Sequence, residues 1–135
     1  NLGSLYNGLM AVAEGLTLVF ENEDAINVDV LETFPYKGHK QSINYTTTEF
    51  SAVCPFSGLP DYGKLIIDYQ PKDHIVELKS LKYYITSYRN VGIYQEHLTN
   101  RLFSDLKQLL QPNYLKITTV YNTRGGIDTT CTVQT

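Results

Sequence analysis

Tryptophan is absent from this chain of 135 residues, cysteine occurs only twice, and methionine once. No apolar run approaches the ~20 residues that a membrane-spanning helix needs, so no membrane partner is expected. Two cysteines, Cys54 and Cys131, cannot form a disulfide framework. A reducing compartment, the cytoplasm, is therefore expected. No GxGxxG follows a strand and no phosphate-loop motif occurs, so no standard nucleotide-binding fold is expected. The three histidines, His39, His74 and His97, are scattered without metal-ligand spacing, so no metal is expected either. The net charge of -3 gives no electrostatic basis for nucleic-acid binding. It leaves room for a small anion held in a local basic patch.

What is present points to a folded chain. Hydrophobic residues make up 42% and charged ones 19%, far from a disordered composition. Tyrosine is abundant at 11 residues, and its apolar ring with a polar tip suits strands and subunit contacts. The opening stretch "NLGSLYNGLMAVAEGL" has no basic segment ahead of an apolar one, so no signal peptide is expected. Residues 1–16 are left as an uncertain segment ahead of a single domain over 17–135.

Periodicity sets the element order. Gln41 to Val53 alternates through Ile43, Tyr45 and Thr47 and reads as a strand. Gly63 to Gln70, with its Leu65-Ile66-Ile67 run, reads as a second strand, partly buried on both faces. From Val76 to Tyr88 the period changes, and Leu78, Leu81, Ile85 and Tyr88 fall on one helical stripe. Gly92 is a stop signal. A second helix over Tyr94 to Gln111 carries Leu98, Leu102, Leu106 and Leu109 on one face and ends before Pro112. Tyr114 to Tyr121 and Ile127 to Val133 read as a hairpin around the turn Asn122 to Gly126. The expected fold is α+β, in the order β-β-α-α-β-β, with two helices on one face of an antiparallel sheet. Such a sheet has two open edges, which pairing between subunits would cover.

The loop "AVCPFSGLPDYG" (Ala52 to Gly63) carries the first candidate chemistry. A free cysteine is more often a small buried hydrophobe than a nucleophile. Cys54, however, sits at a strand end ahead of Pro55, and function concentrates on such loops. Pro55, Gly58 and Pro60 turn the chain back, so Asp61 can approach Cys54. A carboxyl group whose pKa is raised by burial would serve there as an acid. The alternative is a hairpin aspartate bonded to its own turn.

In "VELKSLKYY", a helical Glu77 lies beside the apolar stripe, while Lys79 and Lys82 share a different face. The plainer reading makes Glu77 a helix-start acid and the lysines a solvated flank. In "GIYQEHLTNR", Gln95 falls within the leucine stripe, Glu96 at its edge, and His97 toward solvent. A partly buried Glu96 would suit the N–H edge of a purine-like ring. Arg124, in the glycine turn of "YNTRGGI", suits a phosphate.

Together "FSAVCPFSGLPDYG", "VELKSLKYYITSYRN" and "YNTRGGI" resemble the QueF-type nitrile reductases of queuosine biosynthesis, from about Leu31 to Val133. The resemblance implies the tunnelling fold, whose subunits form a homo-oligomer, join their sheets into a barrel and build sites between them. It also implies reduction of 7-cyano-7-deazaguanine to 7-aminomethyl-7-deazaguanine with NADPH. Cys54 matches the residue that attacks the nitrile to form a thioimide, and Asp61 the proton donor. Val76, Glu77, Leu78, Gln95 and Glu96 match positions that hold the deazapurine, and Lys79, Lys82 and Arg124 positions associated with the dinucleotide. One departure stands out. The family usually has histidine where this chain has Gln95, and glutamine cannot shuttle a proton near neutral pH. The alternatives are an amidinotransferase acting on cyano-deazaguanine in tRNA, disfavoured by the intact lysine signature, and a non-catalytic deazapurine-binding protein.

Overall fold

A computed structural model describes residues 12–135. The uncertain segment up to residue 11 lies outside the described residues. Six strands and two α-helices follow two short 3-10 turns: β1 (Thr33–Pro35), β2 (Ile43–Val53), β3 (Pro60–Gln70), β4 (His74–Val76), α1 (Leu78–Thr86), α2 (Gln95–Leu110), β5 (Tyr114–Arg124) and β6 (Ile127–Gln134). The main sheet has the order β2-β3-β5-β6 and is antiparallel throughout. This is the expected α+β layout. The small antiparallel pair β1-β4 was not expected, because three-residue strands carry no readable alternation.

One face of the main sheet is apolar. Leu65, Ile67 and Tyr69 of β3 and Leu115 and Ile117 of β5 are buried against Leu98, Leu102, Leu106 and Leu110 of α2. Burying each such side chain contributes roughly 1.5–3 kcal/mol. Helix α2 ends where Gln111 turns left-handed (φ 45°) and donates to the Lys107 carbonyl, one residue before Pro112.

Two register shifts place the residues that matter for chemistry. In β2 the pairing slips by one residue between Thr47 and Phe50. The inward phase therefore passes from Ile43, Tyr45 and Thr47 to Phe50 and Ala52, and Cys54 continues that second phase. In β5 the pairing with β6 slips between Tyr121 and Arg124, which turns Arg124 toward the same face as Tyr121.

Several boundaries differ from the sequence reading. Strand β3 begins at Pro60 rather than Gly63, so Asp61 belongs to the strand, opposite Ala52, and not to the turn. Proline is tolerated at a first strand position because no ladder N–H is required there. The first helix begins at Leu78, not Val76, because β4 pairs with β1 up to Val76. Leu78 is 51% exposed, and Tyr84 takes its place on the buried stripe with Leu81. The turn at the end of β5 is the pair Gly125-Gly126, both at positive φ, rather than the whole of Asn122 to Gly126.

Helices α1 and α2 are tied together by a buried polar chain. The Tyr84 hydroxyl donates to Asp105 Oδ2 (2.7 Å) and lies 2.8 Å from the Tyr88 hydroxyl, and Arg101 Nε donates to the same Asp105 oxygen (2.8 Å). We expect Tyr84→Phe to cost about 1–2 kcal/mol of stability, since it strips one donor from a part-buried carboxylate. Urea unfolding would read this as a lower midpoint at unchanged slope; an unchanged midpoint would contradict it.

Candidate active site

The loop after β2 is closed by its own backbone. The Cys54 N–H donates to the Leu59 carbonyl and the Gly58 N–H to the Cys54 carbonyl, both at 2.9 Å. Gly58 has φ +72°, and a Cβ there would stand 2.4 Å from the Leu18 carbonyl oxygen. No other residue fits. This tight turn points backbone N–H groups at the thiol. Hydrogen bonds from the Ser57 and Phe56 amides, with the Ser57 hydroxyl, lower the Cys54 pKa from its ordinary value, against burial and the Asp61 carboxylate. The loop thus favours the thiolate of Cys54 more than an ordinary thiol's surroundings do.

Asp61 is the first inward residue of β3 and only 8% exposed. Burial raises its pKa, and the Arg124 guanidinium, which forms an ion pair with Oδ1, opposes that rise. The chain thereby sets a thiol shifted toward its anion beside a carboxyl group shifted toward its acid, the pairing that addition and protonation require.

Helix α2 starts at the same place. Val53, the residue before Cys54, pairs in parallel with the strand-like segment Val91–Ile93: its N–H donates to the Val91 carbonyl (3.0 Å) and its carbonyl accepts from Ile93 (3.3 Å). The Phe56 ring meets Tyr94, the residue before α2, edge-on at 6.0 Å. Gln95 is buried, as its place in the leucine stripe implied. Its Nε2 donates to the carbonyls of Thr119 (3.1 Å) and Thr129 (3.3 Å), stitching α2 to β5 and β6. Glu96 is exposed rather than partly buried: Gln95 turns onto β5 and β6, and Glu96, one residue on, points away from them. His97 faces solvent, as expected.

The other candidates gather elsewhere. Val76 is buried, and its N–H donates to the Tyr69 hydroxyl (3.2 Å). Glu77 is not helical. It caps α1 with its carboxylate, which accepts the N–H groups of Lys79 and Ser80, so the plainer reading of Glu77 describes its place in the chain. Lys79 and Lys82 are exposed, and Lys82 borders a groove of about 360 Å³ between α1 and β2 whose floor includes Tyr45, Leu65 and Ile67. Among the described residues no cluster of metal-ligating side chains occurs, and no helix is long and apolar enough to cross a membrane.

The candidates thus form two groups. Cys54, Asp61, Arg124, Gln95 and Glu96 surround one end of β3, and Val76, Glu77 and Leu78 lie at the other, beside Tyr69. Eight residues from Asp61 to Tyr69, at roughly 3.3 Å each, set the ends about 26 Å apart, more than one purine-sized ring spans. The sequence reading missed Ser57 and Phe56, the amide donors to the thiol, and Tyr121, whose ring lies over Gly63: a Cβ at Gly63 would come within 2.7 Å of it. Ser57 between two turn residues was a readable signal. Tyr121 was hidden by an apolar alternation that fits any core tyrosine.

Comparison with known proteins bears on this arrangement. The sequence profile described as "QueF-like protein" matches residues 60–135. A protein of Thermotoga petrophila named NADPH-dependent 7-cyano-7-deazaguanine reductase is 55% identical over 122 residues, covering 90% of this chain and 89% of its own. Proteins of the same name from Caldicellulosiruptor bescii (51% identity, 78% of this chain and 82% of theirs) and Chlorobaculum tepidum (42%, 80% and 94%) are also similar. The crystal structure of the archaeosine synthase QueF-Like in the apo form is alike in fold, with a TM-score of 0.62 at 21% identity, covering 73% of this chain and 95% of that one.

The two cysteines are shifted in opposite directions, since burial raises the Cys131 pKa. At pH 7.5 iodoacetamide is expected to alkylate Cys54 well before Cys131, with a rate that rises through a midpoint below that of an ordinary thiol. Peptide mapping after timed quenching checks this. Equal labelling of both cysteines would contradict these shifts.

Proposed function

The chain belongs to the QueF-like protein family, and on that premise we propose that it reduces the nitrile of 7-cyano-7-deazaguanine to the aminomethyl group with NADPH. The observation that carries the reading is the Cys54–Asp61 pair, an amide-held thiol beside a buried acid. The Cys54 thiolate adds to the nitrile carbon. The carbon–sulfur bond forms as one π pair moves onto nitrogen, which takes the Asp61 proton and leaves a thioimide. Arg124 then steadies the Asp61 carboxylate. Two NADPH, bound in turn, would each supply one hydride to the former nitrile carbon. Loss of the Cys54 thiolate between them gives an imine, and uptake of a further proton completes the amine.

Glu77, with Val76 and Leu78, and Glu96 hold the deazapurine ring, joined by the amide oxygen of Gln95, which its bonds to Thr119 and Thr129 leave over. The exposed lysines Lys79 and Lys82 and the Arg124 guanidinium offer cationic donors that fit the phosphates of the dinucleotide. The distance between the two ends of β3 supports a site completed between subunits of a homo-oligomer, with the exposed edges β2 and β6 pairing to close a barrel. The substrate is a small molecule, and no nucleic acid is needed. The cytoplasm, where both cysteines stay reduced, is the compartment we assign.

The test is an intact mass of the protein with 7-cyano-7-deazaguanine, followed by NADPH and its absorbance. We expect a one-to-one adduct that is lost in Cys54→Ala, then two equivalents of NADPH oxidised per substrate. Absence of an adduct would remove the covalent mechanism. An adduct without NADPH oxidation would transfer the assignment to amidinotransfer, to be assayed with tRNA and an amine donor.

A further inference from the structure

Among the described residues, only two buried side-chain polar atoms lack a hydrogen-bond partner, Asp61 Oδ1 and the Tyr121 hydroxyl oxygen. The first is held by Arg124 in an ion pair, so the Tyr121 hydroxyl is the one left with no partner at all. Both residues line one cavity of about 90 Å³, together with Pro60, Tyr62 and Arg124. They are diagonal neighbours on the inward face: Tyr121 pairs with Gly63, and Asp61 lies two residues before Gly63 on the same strand. Gly63 leaves the space that the Tyr121 ring occupies. A buried hydroxyl is seldom left without a partner, and an unmade bond held beside an active carboxyl group is a mark of function rather than of packing.

We infer that Tyr121 is a further catalytic residue, whose hydroxyl donates a hydrogen bond to the nitrile-derived nitrogen while Asp61 protonates it. This rests on the reductase reading above. A nitrile nitrogen has one lone pair. When the Cys54 sulfur bonds to carbon, a π pair moves onto nitrogen and a second in-plane lone pair develops. One pair takes the Asp61 proton, and the other accepts the Tyr121 O–H, which keeps its proton. Burial raises the Tyr121 pKa well above its ordinary value, in keeping with a hydroxyl that donates without ionising. Because the second lone pair arises only as the bond forms, the interaction strengthens toward the transition state and acts on the rate of addition rather than on ring binding. Here Gln95 is committed to the Thr119 and Thr129 carbonyls, so its amide nitrogen does not compete for this role.

Tyr121→Phe keeps the ring over Gly63 and removes only the hydroxyl. In single-turnover experiments without NADPH, we expect the Cys54 adduct to form three- to tenfold more slowly, the worth of one hydrogen bond, with the concentration dependence on substrate changed less than twofold. The melting temperature should stay the same or rise, since an unpartnered buried hydroxyl is gone. An unchanged rate would overturn the inference. A slower rate accompanied by a lower melting temperature would make the hydroxyl structural and overturn it too. If the unaltered protein forms no adduct, the reductase reading itself fails and the role of Tyr121 falls with it, an outcome distinct from an adduct formed equally fast by both proteins.

Discussion

The parallel pairing of Val53 with the Val91–Ile93 segment is the contact on which the site depends. It consists of two backbone hydrogen bonds, yet it joins the end of β2 to the start of α2, two elements some forty residues apart in the chain. Cys54 follows Val53 by one residue, and Gln95 follows Ile93 by two. Gly92, in the middle of this contact, has no room for a side chain: a Cβ would stand 2.3 Å from the Phe20 ring. The segment Leu18–Glu21 thus straps the contact from outside, with Leu18 bonded to Ser57 and Glu21 to Asn90 and Gly92. Rigidity at the thiol comes from this backbone frame, and hydrophobic packing beneath it supplies most of the energy that keeps the frame in place.

On that frame the chain tolerates local costs that a purely structural hairpin would avoid. A carboxylate is buried at Asp61 with its acid form favoured, and a thiol is exposed to amide donors that favour its anion. The tetrad Gln95, Thr99, Thr119 and Thr129 shows the contrasting case. There, buried polar atoms satisfy one another, with the Thr99 and Thr119 hydroxyls 2.6 Å apart and the Thr99 hydroxyl within 2.8 Å of the Gln95 carbonyl. Polar groups with a structural task are satisfied within the chain, whereas the Tyr121 hydroxyl has no partner among the described residues and Asp61 has only the Arg124 ion pair.

The sheet, its order of elements and the buried stripe of α2 were legible because long alternating or helical patterns survive in any context. The turn that brings Asp61 back toward Cys54 was legible in the prolines and glycines between them, although Asp61 itself stands in β3 opposite Ala52. Local boundaries were less readable. Glu77 falls within the helical pattern of the sequence and still caps rather than joins α1, because β4 holds the residue before it in an extended form. The one-residue slips in β2 and β5 decide which way Cys54 and Arg124 face, and nothing in the alternation of Ile43, Tyr45 and Thr47 announces the first of them. Tyr121 was invisible for a different reason: its ring obeys the core pattern, and only its unpartnered hydroxyl sets it apart.

The central claim is that one chain supplies two half-sites at opposite ends of β3 and that a second copy joins them. Mixed oligomers test this most directly. Cys54→Ala and Glu77→Gln subunits, each inactive alone, would be unfolded together and refolded as a mixture. The account predicts that the mixture regains a measurable share of NADPH-oxidising turnover, because some interfaces unite an intact Cys54 end with an intact Glu77 end. Mixed oligomers, verified by mass, that stay as inactive as their parents would contradict it.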